Sequence, residues 1–167
     1  ALQALSTLKE QNVLYGIIAI GNNRIRMRKA DLIRNNKYEL LTAVHPAAVV
    51  ADSVTLGAGS VVMAGCVVNW DAQIGENAIL NTGCSVDHDC RIGDGVHISP
   101  GAHLGGNVTI GNCTHIGIGA SVLPGVTIGS NTIVGGGAAV IGDLPGGVTA
   151  VGVPAKTIKI HGSSYTT

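Results

Sequence analysis

The sequence predicts an all-β solenoid, a three-sided coil of very short parallel strands. Three observations carry the prediction. From Val44 to Val140 every sixth residue is Ile, Leu or Val, seventeen positions in succession, far beyond chance periodicity. The 167 residues include 25 Gly but no Phe, one Trp and three Tyr, whereas a globular core of this size normally buries several rings. The other phases of the repeat also hold. The residue after the aliphatic is Gly at 57, 75, 93, 105, 111, 117, 129 and 135, and the fourth after it is small or β-branched, as at Ser60, Cys66, Ala72, Ala78, Cys84, Cys90, Ala102, Thr114, Ala120, Thr132 and Ala138.

A period of six reads as a short strand followed by a corner. Strands that turn so often cannot pair within one plane, so 18-residue turns must stack, with the aliphatics pointing to a common axis. The thin triangular interior excludes rings. The glycine after each aliphatic is expected to supply the positive φ of a tight corner. Residues 44–145 form this coil, with between five and six turns.

Residues 1–43 follow a different pattern. Leu2, Leu5 and Leu8 recur at helical spacing, Val13–Ile20 reads as a buried strand, residues 24–36 read as a basic helix, and Leu40–Val44 reads as a second strand. This is half of an α/β unit, with too little surface to fold alone. The expectation is a partial Rossmann-like segment. Residues 146–167 are expected to form a C-terminal cap over 148–160 and a loose tail.

Composition excludes several classes of function. Lys and Arg total 10 and Asp and Glu total 10, which argues against a globally basic nucleic-acid binder. Charged residues are 12% and hydrophobic residues 46%, which argues against disorder. The apolar run Val13–Ile20 is too short to cross a bilayer, and residues 1–12 lack the pattern of a signal peptide. The reading is a cytoplasmic protein with no membrane or nucleic-acid partner. Of the four cysteines, Cys66, Cys84 and Cys90 take the small interior phase and read as reduced core residues.

The coil has few polar side chains, so its histidines stand out. His88 lies between Asp87 and Asp89, on an outward phase. An acid beside an imidazole can orient it and raise its basicity, which suits proton abstraction near neutral pH; the alternative is a solvated surface histidine. His97 and His115 are 18 residues apart and should stack on one face, with His103 one side further round. Three nearby histidines raise the question of a metal. A trimeric β-helix carbonic anhydrase pattern would be a His followed by a close His pair some two coils later, and the spacings 88, 97, 103 and 115 contain no such pair, so no metal is expected. Gly105-Gly106 and Gly135-Gly136-Gly137 offer exposed backbone to an extended ligand. Lys156 and Lys159 could meet phosphates, and Gly21-Asn22-Asn23 fits a phosphate or sugar contact before a helix.

The hexapeptide register followed by Gly152-Val153-Pro154-Ala155-Lys156 resembles the hexapeptide acyltransferases. Ile18-Ala19-Ile20-Gly21-Asn22-Asn23, Asn81-Thr82, Asp87-His88-Asp89-Cys90, His97-Ile98-Ser99, Gly105-Gly106-Asn107 and Gly135-Gly136-Gly137 together resemble the bacterial sugar acetyltransferase branch, which includes UDP-4-amino-sugar N-acetyltransferases and sialic-acid O-acetyltransferase relatives. The resemblance implies a left-handed parallel β-helix and an acetyl-CoA-dependent transfer to an amino or hydroxyl group of a sugar. It implies His88 as general base and Asp89 as its neighbouring acid, a position usually held by Glu. His97, Gly106, Ile118, Gly136 and Lys156 would contact acetyl-CoA, and Gly21, Asn22 and Asn81 the acceptor. It further implies a homotrimer with sites between subunits. The alternatives are another hexapeptide enzyme acting on serine or a small acceptor, and a non-catalytic trimeric scaffold.

Overall fold

The computed structural model describes residues 5, 7, 8 and 10–161. Seventeen two-residue strands, from Ala43–Val44 to Ala139–Val140, wind into a parallel β-solenoid of about six turns. Each strand pairs with those 18 residues away, as Val67–Val68 does with Ser85–Val86 and that strand with His103–Leu104. The rungs form three flat sheets. Face one carries the strands containing Val61, Ile79, His97, His115 and Ile133; face two those with Val67, Ser85, His103 and Ser121; face three those with Thr55, Gln73, Arg91, Thr109 and Thr127. The first corner joins faces one and two, the second joins two and three, and the third joins three and one.

The axial aliphatics from Val62 to Val140 are buried, together with the small residues of the fourth phase. Full burial of one such aliphatic is worth about 1.5–3 kcal/mol, and the stacking repeats that gain at every rung. Cys66, Cys84 and Cys90 lie inside as free thiols, as their phase predicts, while Cys113 is half-buried.

The glycines after the aliphatics serve a purpose the sequence reading misassigned. Positive φ falls two residues later, at positions such as Gly59, Asn77, Asp89 and Asn107. Gly57 is glycine because a Cβ there would stand 2.5 Å from the backbone of Gly75 and Glu76 in the next coil. Close rung-to-rung approach, rather than backbone handedness, excludes a side chain at that position.

Helix α1 spans Asn23–Asn35, with the Asn22 side chain accepting from the Ile25 amide at 3.0 Å as its N-cap. It follows the strand Tyr15–Gly16 and precedes Glu39–Leu40, and these two strands pair in parallel. The expected buried strand Val13–Ile20 shrinks to this pair, and Val13, Leu14, Tyr15 and Ile17 are exposed. An apolar run needs a covering layer to become a buried strand, and here Glu39–Leu40 is its sole partner among the described residues. The expected strand Leu40–Val44 divides: Glu39–Leu40 stays with this unit, and Ala43–Val44 becomes the first rung of face one. Leu2 and the expected tail from Gly162 lie outside the described residues.

Arg26 fastens α1 to the third corner. The residue is 1% exposed. It donates to the carbonyls of Asn77, Ile20, Gly21, Gly95 and Val96 and to the Asn23 side chain. Burial lowers its pKa to about 10, so it stays charged. The Arg34–Glu76 ion pair makes a second link. At the far end Val148–Val151 extends face one and Lys156–Ile160 pairs antiparallel with it. No helix among the described residues is long and apolar enough to cross a membrane.

Candidate active site

The second corner carries a column of residues 18 apart: Trp70, His88, Gly106 and Pro124. The His88 side chain is 59% exposed, and its Nδ1 lies 2.8 Å from Asp89 Oδ2. With Nδ1–H donating to the carboxylate, Nε2 keeps its lone pair. The bond to Asp89 raises the His88 pKa above its usual value, partly offset by desolvation, with the charges of Asp87 and Asp89 adding to the rise. Asp89 reaches back from a positive-φ corner position, φ 58°.

Two further residues hold the loop. Asp87 Oδ1 accepts from the His88 amide and from Asn69 Nδ2, each at 2.8 Å. The Asn69 bond, then the His88 amide, pull the Asp87 pKa down. Neighbouring acids made Asp87 visible in the sequence; Asn69 was overlooked, although its offset of 18 residues placed it in the rung below. Gly106 lies directly over the imidazole. A Cβ there would be 2.5 Å from His88 Nε2, so the missing side chain keeps that nitrogen open.

The other nominated residues stand on another side of the prism. Asn81, Ile118 and Gly136 occupy the first corner, where Ile118 is 67% exposed and its carbonyl accepts from the Gly137 amide at 2.8 Å. His97 is on face one, with Nε2 3.1 Å from Asn81 Nδ2. His115 stacks above it, ring centroids 4.9 Å apart and edge-on, with its Nε2 3.2 Å from Ser99 Oγ. Burial, then the charges of His115 and Arg26, push the His97 pKa down to about 4, and burial and Arg26 lower that of His115. A cleft of about 620 Å³ opens beside them, lined by Gly21, Asn22, Arg24, His115, Asn131 and Ile133 among others. Gly21 gives its carbonyl to Arg26, and the Asn22 side chain is occupied in capping α1. Lys156 opens the exposed final strand. His103, one face round as expected, has Nδ1 2.8 Å from Ser85 Oγ. Among the described residues no three His, Cys, Asp or Glu side chains converge as metal ligands would.

Within one chain the base and the coil residues named for the cofactor therefore divide between two corners. His88 and Gly106 lie at the second, Ile118 and Gly136 at the first, and His97 on the face before it. The arrangement at His88 is suited to removing a proton from a nucleophile that approaches Nε2 from solvent.

Comparison with known proteins finds relatives among the transferases. The family described as bacterial transferase hexapeptide (six repeats) matches residues 71–106. Among solved structures, PerB from Caulobacter crescentus, in complex with CoA and GDP-perosamine, is 48% identical, with 94% of this chain and 76% of that chain covered and a TM-score of 0.93. The acetyltransferase domain of PglB from Neisseria gonorrhoeae FA1090 is 43% identical over 85% of this chain and 69% of that one, TM-score 0.84, and has also been solved with acetyl coenzyme A. The solenoid matches a left-handed β-helix. A curated relative, UDP-N-acetylbacillosamine N-acetyltransferase of Bacillus subtilis (strain 168), is 45% identical over 48 residues, 29% of this chain and 22% of that protein.

Proposed function

We propose that this chain, which belongs to the hexapeptide-repeat sugar N-acetyltransferases, transfers the acetyl group of acetyl-CoA to the amino group of a nucleotide-linked sugar. The observation that carries the proposal is the His88–Asp89 pair, whose Nε2 is left open by Gly106. His88 Nε2 takes a proton from the acceptor amine as its nitrogen attacks the thioester carbonyl. The new C–N bond forms, the C–S bond breaks, and CoA leaves as the thiol after receiving a proton. Asp89 holds the ring and favours the imidazolium that forms. A backbone amide stabilises the developing oxyanion. Holding both reactants in one groove removes much of the entropic barrier.

The working assembly is a homotrimer with sites between subunits. The division of the nominated residues between two corners supports it. Three copies with face two turned inward would set the second corner of one against the first corner of the next. His88 and Gly106 of one copy would then meet Asn81, His97, Ile118 and Gly136 of its neighbour, and Lys156 would serve the nucleotide end of CoA. The exposed Val49 and Val67 of face two favour such an association. Residues 1–43 act as the partial Rossmann-like unit, with Gly21 and Asn22 bordering the acceptor cleft, residues 44–145 as the transferase domain and 146–167 as its cap and tail.

The test is His88→Ala, assayed by thiol release from acetyl-CoA with GDP-perosamine and UDP-N-acetylbacillosamine as acceptors. A general base contributes about 10²–10⁴-fold, and a loss of that size in kcat with unchanged acetyl-CoA binding is expected. A variant that keeps nearly full activity removes His88 from the role.

A further inference from the structure

The coil between residues 44 and 161 contains a single aromatic side chain, Trp70, and it is not in the core. Its residue is 62% exposed. The rung pairing of Val67–Val68 with Ser85–Val86 places Trp70 one coil from His88 in the same column, and the Asp89 amide donates to the Trp70 carbonyl at 3.0 Å. The neighbouring residues of the two rungs are also joined, Asn69 to Asp87 at 2.8 Å. An indole is the most expensive apolar group to leave in water, and the prism otherwise holds no Phe, Tyr or Trp.

The column is asymmetric about the base. On the C-terminal side of His88 stand Gly106 and Pro124, which have no long side chain. That side is a smooth track on which a linear thioester arm can lie. On the other side stands the broad apolar plate of Trp70. A pyranose presents a face of axial C–H groups, and such a face is well matched by an indole, whose negative π surface attracts weakly positive hydrogens. A sugar laid on that plate sits one rung, about 4.8 Å, from the imidazole, within reach for an amino substituent to meet Nε2.

We infer that Trp70 is an acceptor-positioning residue that stacks against the sugar ring and sets its amine at His88, with the thioester arm on the opposite, glycine side. The inference rests on the acetyltransferase reading above and adds the side from which the acceptor enters and the ring face it presents.

Trp70 is the only tryptophan, so its fluorescence reports this position without background. The experiment uses the wild-type chain with GDP-perosamine and UDP-N-acetylbacillosamine, taking whichever is turned over. Titration of that nucleotide sugar changes Trp70 emission saturably, while the corresponding nucleoside diphosphate alone changes it much less. Trp70→Ala raises the acceptor KM by about 2–12-fold, the span of a single aromatic contact. It leaves the acetyl-CoA KM within about twofold, and Trp70→Phe restores most of the loss. An unchanged acceptor KM in Trp70→Ala, with normal loss in His88→Ala, overturns the inference and leaves the acetyltransferase reading standing. A changed oligomer mass by light scattering, with both KM values disturbed, makes Trp70 a subunit contact and also overturns it. Absence of transfer by wild type to either acceptor overturns the reading and this inference together.

Discussion

His88 and the His97–His115 pair share one prism and differ in every property that sets an imidazole's chemistry. His88 stands on a corner in solvent and is bonded to a carboxylate, which raises its pKa. His97 and His115 lie half-buried on a face, each facing a neutral side chain, Asn81 or Ser99, with the buried Arg26 charge nearby, and their pKa values fall. A corner offers exposure and a short reach to the next residue. A face offers rung-to-rung stacking and partial cover. The same residue type thus has its basicity raised in one column and lowered in another.

The largest effect should come from exchanging the two roles' losses. His88→Ala is expected to cost about 10²–10⁴-fold in kcat with little change in melting temperature. His115→Asn should cost less than about tenfold in kcat, because His115 lies off the proton path. Equal losses in steady-state assays would erase the contrast.

Gly106→Ala comes next. The added Cβ would collide with Nε2, and the exposed ring can swing aside, so the fold survives and the base is displaced. Misplacement on the scale of an ångström costs up to about 10²-fold. We expect a kcat loss between about 10- and 100-fold, with unchanged urea midpoint. A fall in stability instead would mean the ring is held more firmly than its exposure indicates.

Asp89→Asn should have a smaller effect, about tenfold, and its diagnostic is the pH profile. Asp89 is the main reason the His88 pKa is raised. The acidic limb of kcat/KM, which reports the free enzyme's base, should therefore shift to lower pH in the variant. A limb that stays in place would assign it to another group.

The contrast was only partly legible in the sequence. The ladder from Val44 to Val140 dictates the coil because one axial residue per strand leaves no other fold able to bury them all. His88–Asp89 was readable because the two residues are adjacent. The division of His88 from Ile118 and Gly136 was available from the 18-residue turn: 30 positions separate His88 from Ile118, which is not a whole number of turns. Asn69 and Trp70 could have been found by subtracting 18 from Asp87 and His88. Arg26 could not, since its carbonyl partners at Asn77, Gly95 and Val96 carry no side-chain signature. Val13–Ile20 misled because hydrophobicity reveals a wish for cover but not whether a partner strand supplies it.

The smallest expected effect is in stability, and its sign separates the two environments. His97 titrates at about 4 in the folded chain against an ordinary 6.5. Between those values the unfolded chain holds more protons, so stability falls as pH drops from about 6.5 towards 4 and is untouched above that window. His115, also lowered, acts in the same sense. His88 acts in the opposite sense: its raised pKa contributes stability at low pH that is lost as pH rises through its folded value. Partial solvent access reduces the effect of the pair to about 1 kcal/mol by pH 5. Urea midpoints at pH 7.5 and pH 5 should therefore converge in a His97→Asn, His115→Asn double variant and diverge in wild type, with His88 intact in both. If the double variant loses as much between those pH values as wild type, the buried pair is already protonated in the fold, and face one cannot be the neutral surface that distinguishes it from the His88 corner.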